Sequence, residues 1–416
     1  MTKGPKGPPR NQTALTLFYQ PKMIHPRTRT ALLTAALLCA LSSGAAARKE
    51  LGVESFIYVG THTGEKAKGI YLFRMRTSDD PDIPEFVTTT PLGLVAETPN
   101  PTFFELDPKR RLLFCVNELD QFEGKKSGSI SAFAIDPASG KLTLLNQRPS
   151  AGAGPCHLVL DREGKHLLTA NYNGGSVSVL PVGPDGKLGD ATDVRQHTGK
   201  SVHPTRQQSP HPAGVAISPD NQFAFVCDLG LDQVMTYRFD TGTGKLTPHE
   251  PPFAPLKPGA GPRRLVFRPD GKFAYVVNEL NSTVTAFAYD SKAGALKELQ
   301  TISTLPEYFD GTNTAAEIGV HPSGKYLLAS NCGHHSVVLF SIDSDKGTLT
   351  YIEDQSTYGT MPRHFGMQAS GKHFVVANQD SDSILILRAP EDARVKPGGN
   401  VVPALSPACA KFFEPK

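Results

Sequence analysis

The sequence has no tryptophan, only six cysteines, and none of the short motifs that mark a metal or nucleotide site. The cysteines form neither a CxxC pair nor a zinc pattern, and no HxH, HExxH or acidic calcium-loop spacing occurs. A GxSxG elbow and a Gly-rich phosphate loop are also missing, which argues against a serine hydrolase of that type and a nucleotide cofactor. We therefore expect no metal and no cofactor.

Long hydrophobic runs are also missing. The longest, "ALLTAALLCAL" (31–41), is too short to span a bilayer of about 30 Å. It follows Arg27 and Arg29 and precedes "SSGAAA", which is typical of an export signal cleaved after Ala47. A retained membrane anchor is the alternative. We expect residues 1–47 to be a signal peptide, with Met23 as a more ordinary start than Met1, and the protein to be periplasmic or extracellular, without a stable membrane span after cleavage.

Basic residues are not in excess once this leader is set aside. The chain has 43 Lys and Arg against 40 Asp and Glu, but six of the basic residues and none of the acidic ones fall in the first 47 positions. The rest of the chain is mildly acidic and lacks the basic face that neutralising the phosphates of a nucleic acid requires. Nucleic acid is therefore not expected as a partner.

Five cysteines follow the predicted cleavage point, an odd number that leaves at least one thiol free. Cys115 and Cys227 lie inside apolar strand runs and read as core residues. A disulfide framework is therefore not expected to hold the fold.

The sequence contains a repeated phrase. One phrase, a Pro/Asp/Gly turn followed by an apolar strand ending in Asn or Asp, recurs at intervals of 47–57 residues, beginning at positions 107, 161, 218, 268, 321 and 368. "FIYVGT" (56–61) supplies a seventh copy. Each unit of about 50 residues has room for four short strands, which is the size of a propeller blade. The sequence predicts an all-β, seven-bladed β-propeller of four-stranded antiparallel blades, forming one domain over residues 48–416.

The first unit lacks the strand and turn that precede the repeated phrase elsewhere. "PACAKFFEP" (407–415) resembles "PTFFELDP" (101–108), which fills that place in the second unit. We expect the C-terminal segment to supply the missing inner strand and close the ring, leaving no open circular edge.

Polar and titratable residues gather where the first two strands of each unit meet, at one end of the blade. The recurring Asn or Asp there is best explained as a turn cap. The residues that differ between units are more informative, and we expect them to converge at a channel mouth, although a salt-bridged structural rim is the alternative. They are His157, Arg263, Arg264, Glu279, Glu317, Arg363 and His364, with His211 just before the inner strand of the fourth unit.

These phrases resemble the seven-bladed propeller lactonases, which include bacterial 6-phosphogluconolactonases and fungal carboxy-muconate lactonising enzymes. The resemblance covers nearly all of residues 54–390. It rests on "YVGTHT" (58–63), "NYNGGSVSV" (171–179), "SPDNQFAFVCDLGLDQVMTYRFD" (218–240), "GPRRLVFRPDGKFAYVVNELNSTVTAF" (261–287), "AAEIGVHPSGKYLLASN" (315–331) and "MPRHFGMQASGKHFVVANQ" (361–379).

The resemblance implies a lactone hydrolase in which His211, Arg263 and Glu279 are catalytic. Either Glu279 or His211 would be the base, and Arg263 with Arg264 would stabilise the oxyanion or hold an anionic group of the substrate. Substrate-binding roles are expected for five further residues, namely His157, Arg264, Glu317, Arg363 and His364. The expected partner is a small lactone, either 6-phosphogluconolactone-like or an unphosphorylated aldonolactone.

The chain departs from the family pattern at three positions. Ala213 replaces a second His, Arg264 stands where a His is common, and Cys332 replaces an Arg. Losing that Arg would weaken anion binding unless Arg264 or Arg363 substitutes for it. The departures and the export signal leave two alternatives open: an exported propeller that binds a ligand or partner without catalysis, and a muconate-type cycloisomerase.

Overall fold

The computed structural model describes residues 54–77, 87–389 and 394–414. The predicted signal peptide, residues 1–47, lies outside the described residues. The first eleven strands are β1 (Glu54–Thr61), β2 (Gly69–Thr77), β3 (Val87–Glu97), β4 (Phe104–Asp107), β5 (Leu112–Asn117), β6 (Ser129–Ile135), β7 (Leu142–Pro149), β8 (Pro155–Leu160), β9 (His166–Asn171), β10 (Ser176–Pro181) and β11 (Asp193–Gln196).

The chain continues through eighteen more strands. They are β12 (Pro212–Ile217), β13 (Phe223–Asp228), β14 (Gln233–Asp240), β15 (Lys245–Pro255), β16 (Pro262–Phe267), β17 (Phe273–Asn278), β18 (Thr283–Asp290), β19 (Ala295–Ser303), β20 (Ala315–Val320), β21 (Tyr326–Asn331), β22 (Ser336–Ile342), β23 (Leu349–Ser356), β24 (Pro362–Met367), β25 (His373–Asn378), β26 (Ser383–Arg388), β27 (Lys396–Pro397), β28 (Val402–Pro403) and β29 (Pro407–Phe413).

These strands form seven antiparallel sheets, one for each repeat in the sequence. Six have four strands, and in the seventh the short strands β27 and β28 both pair with β26. The innermost strands of the seven blades are β29, β4, β8, β12, β16, β20 and β24. The predicted all-β, seven-bladed propeller is confirmed. Within the described part of the chain no helix has the length and hydropathy of a membrane span.

The second strand of each blade is apolar because both of its faces are covered by neighbouring blades. All six residues of β5 and of β17 are buried, and Cys115 and Cys227 are fully buried as predicted. Burying one large apolar side chain contributes about 1.5–3 kcal/mol, so these strands supply much of the stability. The outer strand β3, in contrast, is largely exposed.

The turn between the first and second strands requires a left-handed residue. Gly271 has φ of 69° in the "RPDGK" turn, and Asn221 has φ of 64° at the matching place in "SPDNQ". Glycine adopts this conformation freely and asparagine tolerates it better than most residues, which explains why glycine fills this place in four of the repeats and Asn221 in another. Arg111 is the exception, with φ of 58°.

A β-bulge interrupts the pairing of the first two strands at the opposite end of five blades. In each case one residue, directly after the leading proline, has no partner across the ladder. These residues are Cys156, Ala213, Arg263, Arg363 and Ala408. A bulge bends the strand and re-aims the unpaired side chain. The side chain of the bulged residue and that of the next residue therefore point in different directions, which separates Arg263 from Arg264.

The ring is closed by the C-terminal strand. β29 pairs antiparallel with β1, with Phe56 opposite Phe413 and Tyr58 opposite Lys411. The first blade thus consists of β29, β1, β2 and β3. The predicted closure by the C-terminal segment is confirmed.

Candidate active site at the channel mouth

Glu279 lies directly after β17 at the end of the blade where the bulges occur, and only 6% of its surface is exposed. Arg263, the bulged residue of β16, donates from Nη1 to Oε2 at 2.5 Å. Arg206 donates from Nη2 to Oε1, also at 2.5 Å. Two guanidinium groups from different segments therefore hold both oxygens of one buried carboxylate, an arrangement of charge-assisted hydrogen bonds.

Each charged group of this cluster shifts the pKa of its partner in the direction that favours the ionised form. Burial alone raises the pKa of Glu279, but Arg263 and then Arg206 outweigh it and hold the pKa below its ordinary value. Burial lowers the pKa of Arg263, and the Glu279 carboxylate more than reverses that effect. The cluster is therefore fully ionised at neutral pH.

Replacing Glu279 with Gln is expected to lower the free energy of unfolding by about 3 kcal/mol at pH 7, because it leaves two cations without their carboxylate. A carboxyl group whose pKa is depressed by folding stabilises the protein above its unfolded-state value, about 4.3, and loses that contribution as the pH falls. The Tm difference between wild type and variant, measured by calorimetry, should therefore shrink below pH 4. A constant difference from pH 7 to pH 3.5 would contradict the assignment.

His211 precedes β12 and is oriented by its neighbours. Its backbone N–H donates to Oδ1 of Asp228 at 2.7 Å, and its ring stacks on Tyr172 with centroids 4.5 Å apart. Nδ1 lies 3.0 Å from the carbonyl oxygen of Tyr172. Because a carbonyl only accepts, Nδ1 carries the proton in the neutral ring and Nε2 has the free lone pair. Nε2 lies 3.3 Å from Oγ of Ser209.

Tyr172 links His211 to the charged cluster. Its ring stacks on His211, and its hydroxyl accepts from Nη2 of Arg206 at 3.1 Å. The same Arg206 nitrogen donates to Glu279. The three residues expected to be catalytic, His211, Arg263 and Glu279, are thus joined at one end of the ring through two residues that were not predicted.

Arg363 is the bulged residue of β24 and has no hydrogen-bond or ion-pair partner within the described residues. Its charge and that of Arg263 act on Cys332, which follows β21. Burial raises the pKa of the Cys332 thiol to about 11 in spite of these cations. Cys332 is therefore a neutral, buried thiol, and Arg363 is the unpaired cation beside it.

Four residues predicted to bind substrate lie inside the channel instead of against Glu279. Glu317 Oε2 is 3.9 Å from Nε of Arg264 and 3.7 Å from Nε2 of His364. His157 and His364 both pack against the ring of Phe103, with centroids 4.2 and 5.6 Å apart. Their substrate-binding role is untested by this arrangement and stays a prediction.

Arg206 and Tyr172 are the site residues that sequence reasoning missed. Tyr172 directly follows the Asn that ends β9, as Glu279 follows the Asn that ends β17, so the repeat could have indicated its place at the mouth. Arg206 lies between β11 and β12, outside the repeated phrases, and no sequence signal marks it. In the described ranges no group of three or more His, Cys, Asp or Glu residues is placed to hold a metal ion.

Comparison with known proteins confirms the resemblance. The chain matches the family described as "Lactonase, 7-bladed beta-propeller" over residues 56–412. It is 33% identical over 357 residues to the 6-phosphogluconolactonase of Bacillus subtilis (strain 168), covering 86% of this chain and 97% of that protein. The structure of the Pseudomonas aeruginosa periplasmic gluconolactonase matches with a TM-score of 0.79 at 35% identity, covering 86% of this chain and 99% of that one. The chain therefore belongs to the seven-bladed β-propeller lactonase family.

Proposed function

We propose that the protein hydrolyses a sugar lactone at the channel mouth. The observation that carries the proposal is the buried carboxylate of Glu279, held by Arg263 and Arg206 beside the oriented imidazole of His211. Relatives named 6-phosphogluconolactonase and gluconolactonase support the substrate class. Family membership favours hydrolysis over the non-catalytic binding propeller and the cycloisomerase.

In the proposed reaction, Nε2 of His211 takes a proton from water as the water oxygen attacks the lactone carbonyl carbon. The resulting oxyanion is stabilised by the guanidinium groups of Arg263 and Arg206. Collapse of the tetrahedral intermediate breaks the bond between the carbonyl carbon and the ring oxygen. That oxygen receives the proton back from His211, and the product is the open-chain acid.

Glu279 has a different role from His211 in this proposal. Both of its oxygens already accept from guanidinium groups, and those cations keep the pKa of the carboxyl low. A group in that state is a weak proton acceptor. Glu279 instead positions Arg263 and Arg206, and His211 is the base.

Arg363 is proposed to take the place of the cation that the family has where this chain has Cys332. It is the bulged residue of its strand, and it has no ion-pair partner among the described residues. Arg264 is a poorer substitute, since it donates to the carbonyl oxygens of Ala213 and Cys156 inside the channel. An anionic or strongly polar end of the substrate would contact Arg363.

Export is also part of the proposal, with residues 1–47 as the signal and residues 48–416 as a single domain. The leader composition supports it, as does the name of the periplasmic relative from Pseudomonas aeruginosa. Phosphorylated sugars are chiefly cytoplasmic, so an exported enzyme would act on an unphosphorylated aldonolactone.

The test is proton release at constant pH with gluconolactone, 6-phosphogluconolactone and an aromatic lactone. Wild type should exceed the uncatalysed rate on at least one sugar lactone, and Glu279→Gln should lose most of that activity. Glu163→Gln, an exposed Glu in the turn between β8 and β9, is the matched control and should behave as wild type. Background rates for wild type on all three lactones would refute lactone hydrolysis.

A further inference from the structure

The channel contains a cavity of about 550 Å³ that is separate from the channel mouth. The inner strands of all seven blades contribute to its wall, and Arg162 and Pro269, both in blade turns, lie at its rim. It therefore extends toward the face opposite the bulges. Its volume falls in the range of small-molecule sites. Much of the wall is apolar, including Val159, Ile217, Phe267, Val320, Met367 and Phe412.

Phe103 and Arg264 pack together at one end of the cavity. The ring of Phe103 lies beneath the Arg264 guanidinium, with Cζ of Arg264 5.3 Å from the ring centroid. Arg264 is fixed by hydrogen bonds to the carbonyl oxygens of Ala213 and Cys156. Phe103 lines the cavity, whereas Arg263, Glu279 and His211 are not part of its wall.

Two imidazole groups that pack against Phe103 present hydrogen-bond donors at this end of the cavity. Nδ1 of His157 accepts from the backbone N–H of Val215, and Nδ1 of His364 accepts from that of Ala410, each at 3.3 Å. Burial, followed by nearby cations, lowers the pKa of both imidazoles well below the ordinary value, so both are neutral. A neutral ring that accepts at Nδ1 carries its proton on Nε2. Both Nε2–H groups are therefore donors.

These donors lack good acceptors within the described residues. His364 is 3% exposed, and its Nε2 is 3.7 Å from Glu317 Oε2, beyond hydrogen-bond distance. No hydrogen bond is made by Nε2 of His157 in the described part of the chain. His157 is half-buried and lines the cavity, so its Nε2–H is open to a ligand there. A donor on a buried residue such as His364 normally has a partner, so these two groups at the end of an open cavity point to a ligand that accepts from them.

The cavity is lined by two cations, Lys411 and Arg162, and two acids, Glu105 and Glu317. Lys411 lies 4.6 Å from the centroid of Phe103 and pairs with Glu105 at 2.6 Å. Arg162 adds a positive charge at the rim. Burial raises the pKa of Glu317, so it takes up a proton more readily than an ordinary glutamate when an anion approaches. Once Glu317 is protonated, the two cations exceed the remaining acid, Glu105, and the wall favours an anion.

We propose that this cavity is a second ligand site that binds a small monocarboxylate with an apolar body. The carboxylate would accept from Nε2–H of His157 and of His364, close to the Lys411 ammonium group. The hydrocarbon or aromatic body would lie against the apolar wall. The site does not depend on the proposed lactonase activity, because it is reached from the other face of the ring.

Isothermal titration of the full chain with sodium octanoate tests the proposal, with 1-octanol as the uncharged comparison. Octanoate should bind saturably, at least tenfold more tightly than octanol, and His157→Leu should weaken it at least tenfold. Lys411→Met is a second variant should His157→Leu fail to fold, and it should also weaken binding. Glu279→Gln, at the mouth, should leave octanoate affinity unchanged.

Three results would overturn the proposal. The first is no binding of octanoate to wild type, and the second is equal affinity for octanol, which would show that the head group is not recognised. The third is displacement of octanoate by gluconate in a competition titration, together with loss of binding in Glu279→Gln. That combination would place octanoate at the mouth.

Discussion

Replacing His211 with Gln should lower kcat/KM for the preferred lactone by about 10²–10⁴, the usual contribution of a positioned general base. Gln can fill much of the space and keep a donor toward the carbonyl of Tyr172, but it has no titratable nitrogen to take a proton from water. The loss should appear in kcat with little change in KM, because the proton is transferred only in the transition state. Stopped-flow or pH-stat rates at saturating substrate measure it.

Ser209→Ala is the matched control for that substitution. Oγ of Ser209 is the only described side-chain group hydrogen-bonded to Nε2 of His211, and it lies 3.3 Å away on an exposed residue. Water can replace it, so kcat should change less than about tenfold. An unchanged kcat in His211→Gln, with Tm near that of wild type, would remove His211 from the reaction.

Deleting residues 406–416 should abolish the cooperative thermal transition of the whole propeller. The deletion removes β29 and leaves the inner edge of β1 unpaired, with fully buried Ile57 and Val59 uncovered. It also removes Phe413, which is 2% exposed. Losing such a buried side chain alone lowers the free energy of unfolding by about 3–5 kcal/mol. Together these losses approach the typical net stability of a domain, about 5–15 kcal/mol.

Deleting only residues 415–416 is the control, since it leaves every residue of β29 in place. Calorimetry of this shorter deletion should give a Tm close to that of wild type. A single cooperative transition at an unchanged Tm in the longer deletion would show that β29 does not close the ring in a way that matters for stability.

The fold could be predicted from the sequence because the seven blades share the same structural requirements. Every second strand is covered on both faces, so every repeat needs an apolar run, and every first turn needs a left-handed residue such as Gly271 or Asn221. Seven copies of one pattern reduce the ambiguity that a single short apolar run would have. The convergence of Arg263 and Glu279 followed from the same alignment, because each lies next to one member of the pair Pro262 and Asn278 at one end of their blade.

The rest of the site depends on features that repeats do not encode. Arg206 comes from a segment outside the repeated phrases, and only the folded chain brings it to Glu279. The bulge in β16 sends Arg263 to the mouth and Arg264 into the channel, although the two are neighbours in sequence. Nothing in the local sequence distinguishes a bulged pair from a regular one, so the sequence grouped both with the substrate.

Closure by β29 also decides when the molecule can finish folding. Phe56 and Phe413 are paired, yet they lie at opposite ends of the described sequence, so this contact has the longest loop to close. A ribosome must release nearly the whole chain before the ring can be completed, and until then the inner edge of β1 is open. The nascent protein therefore cannot complete its ring until synthesis of the C-terminal strand ends.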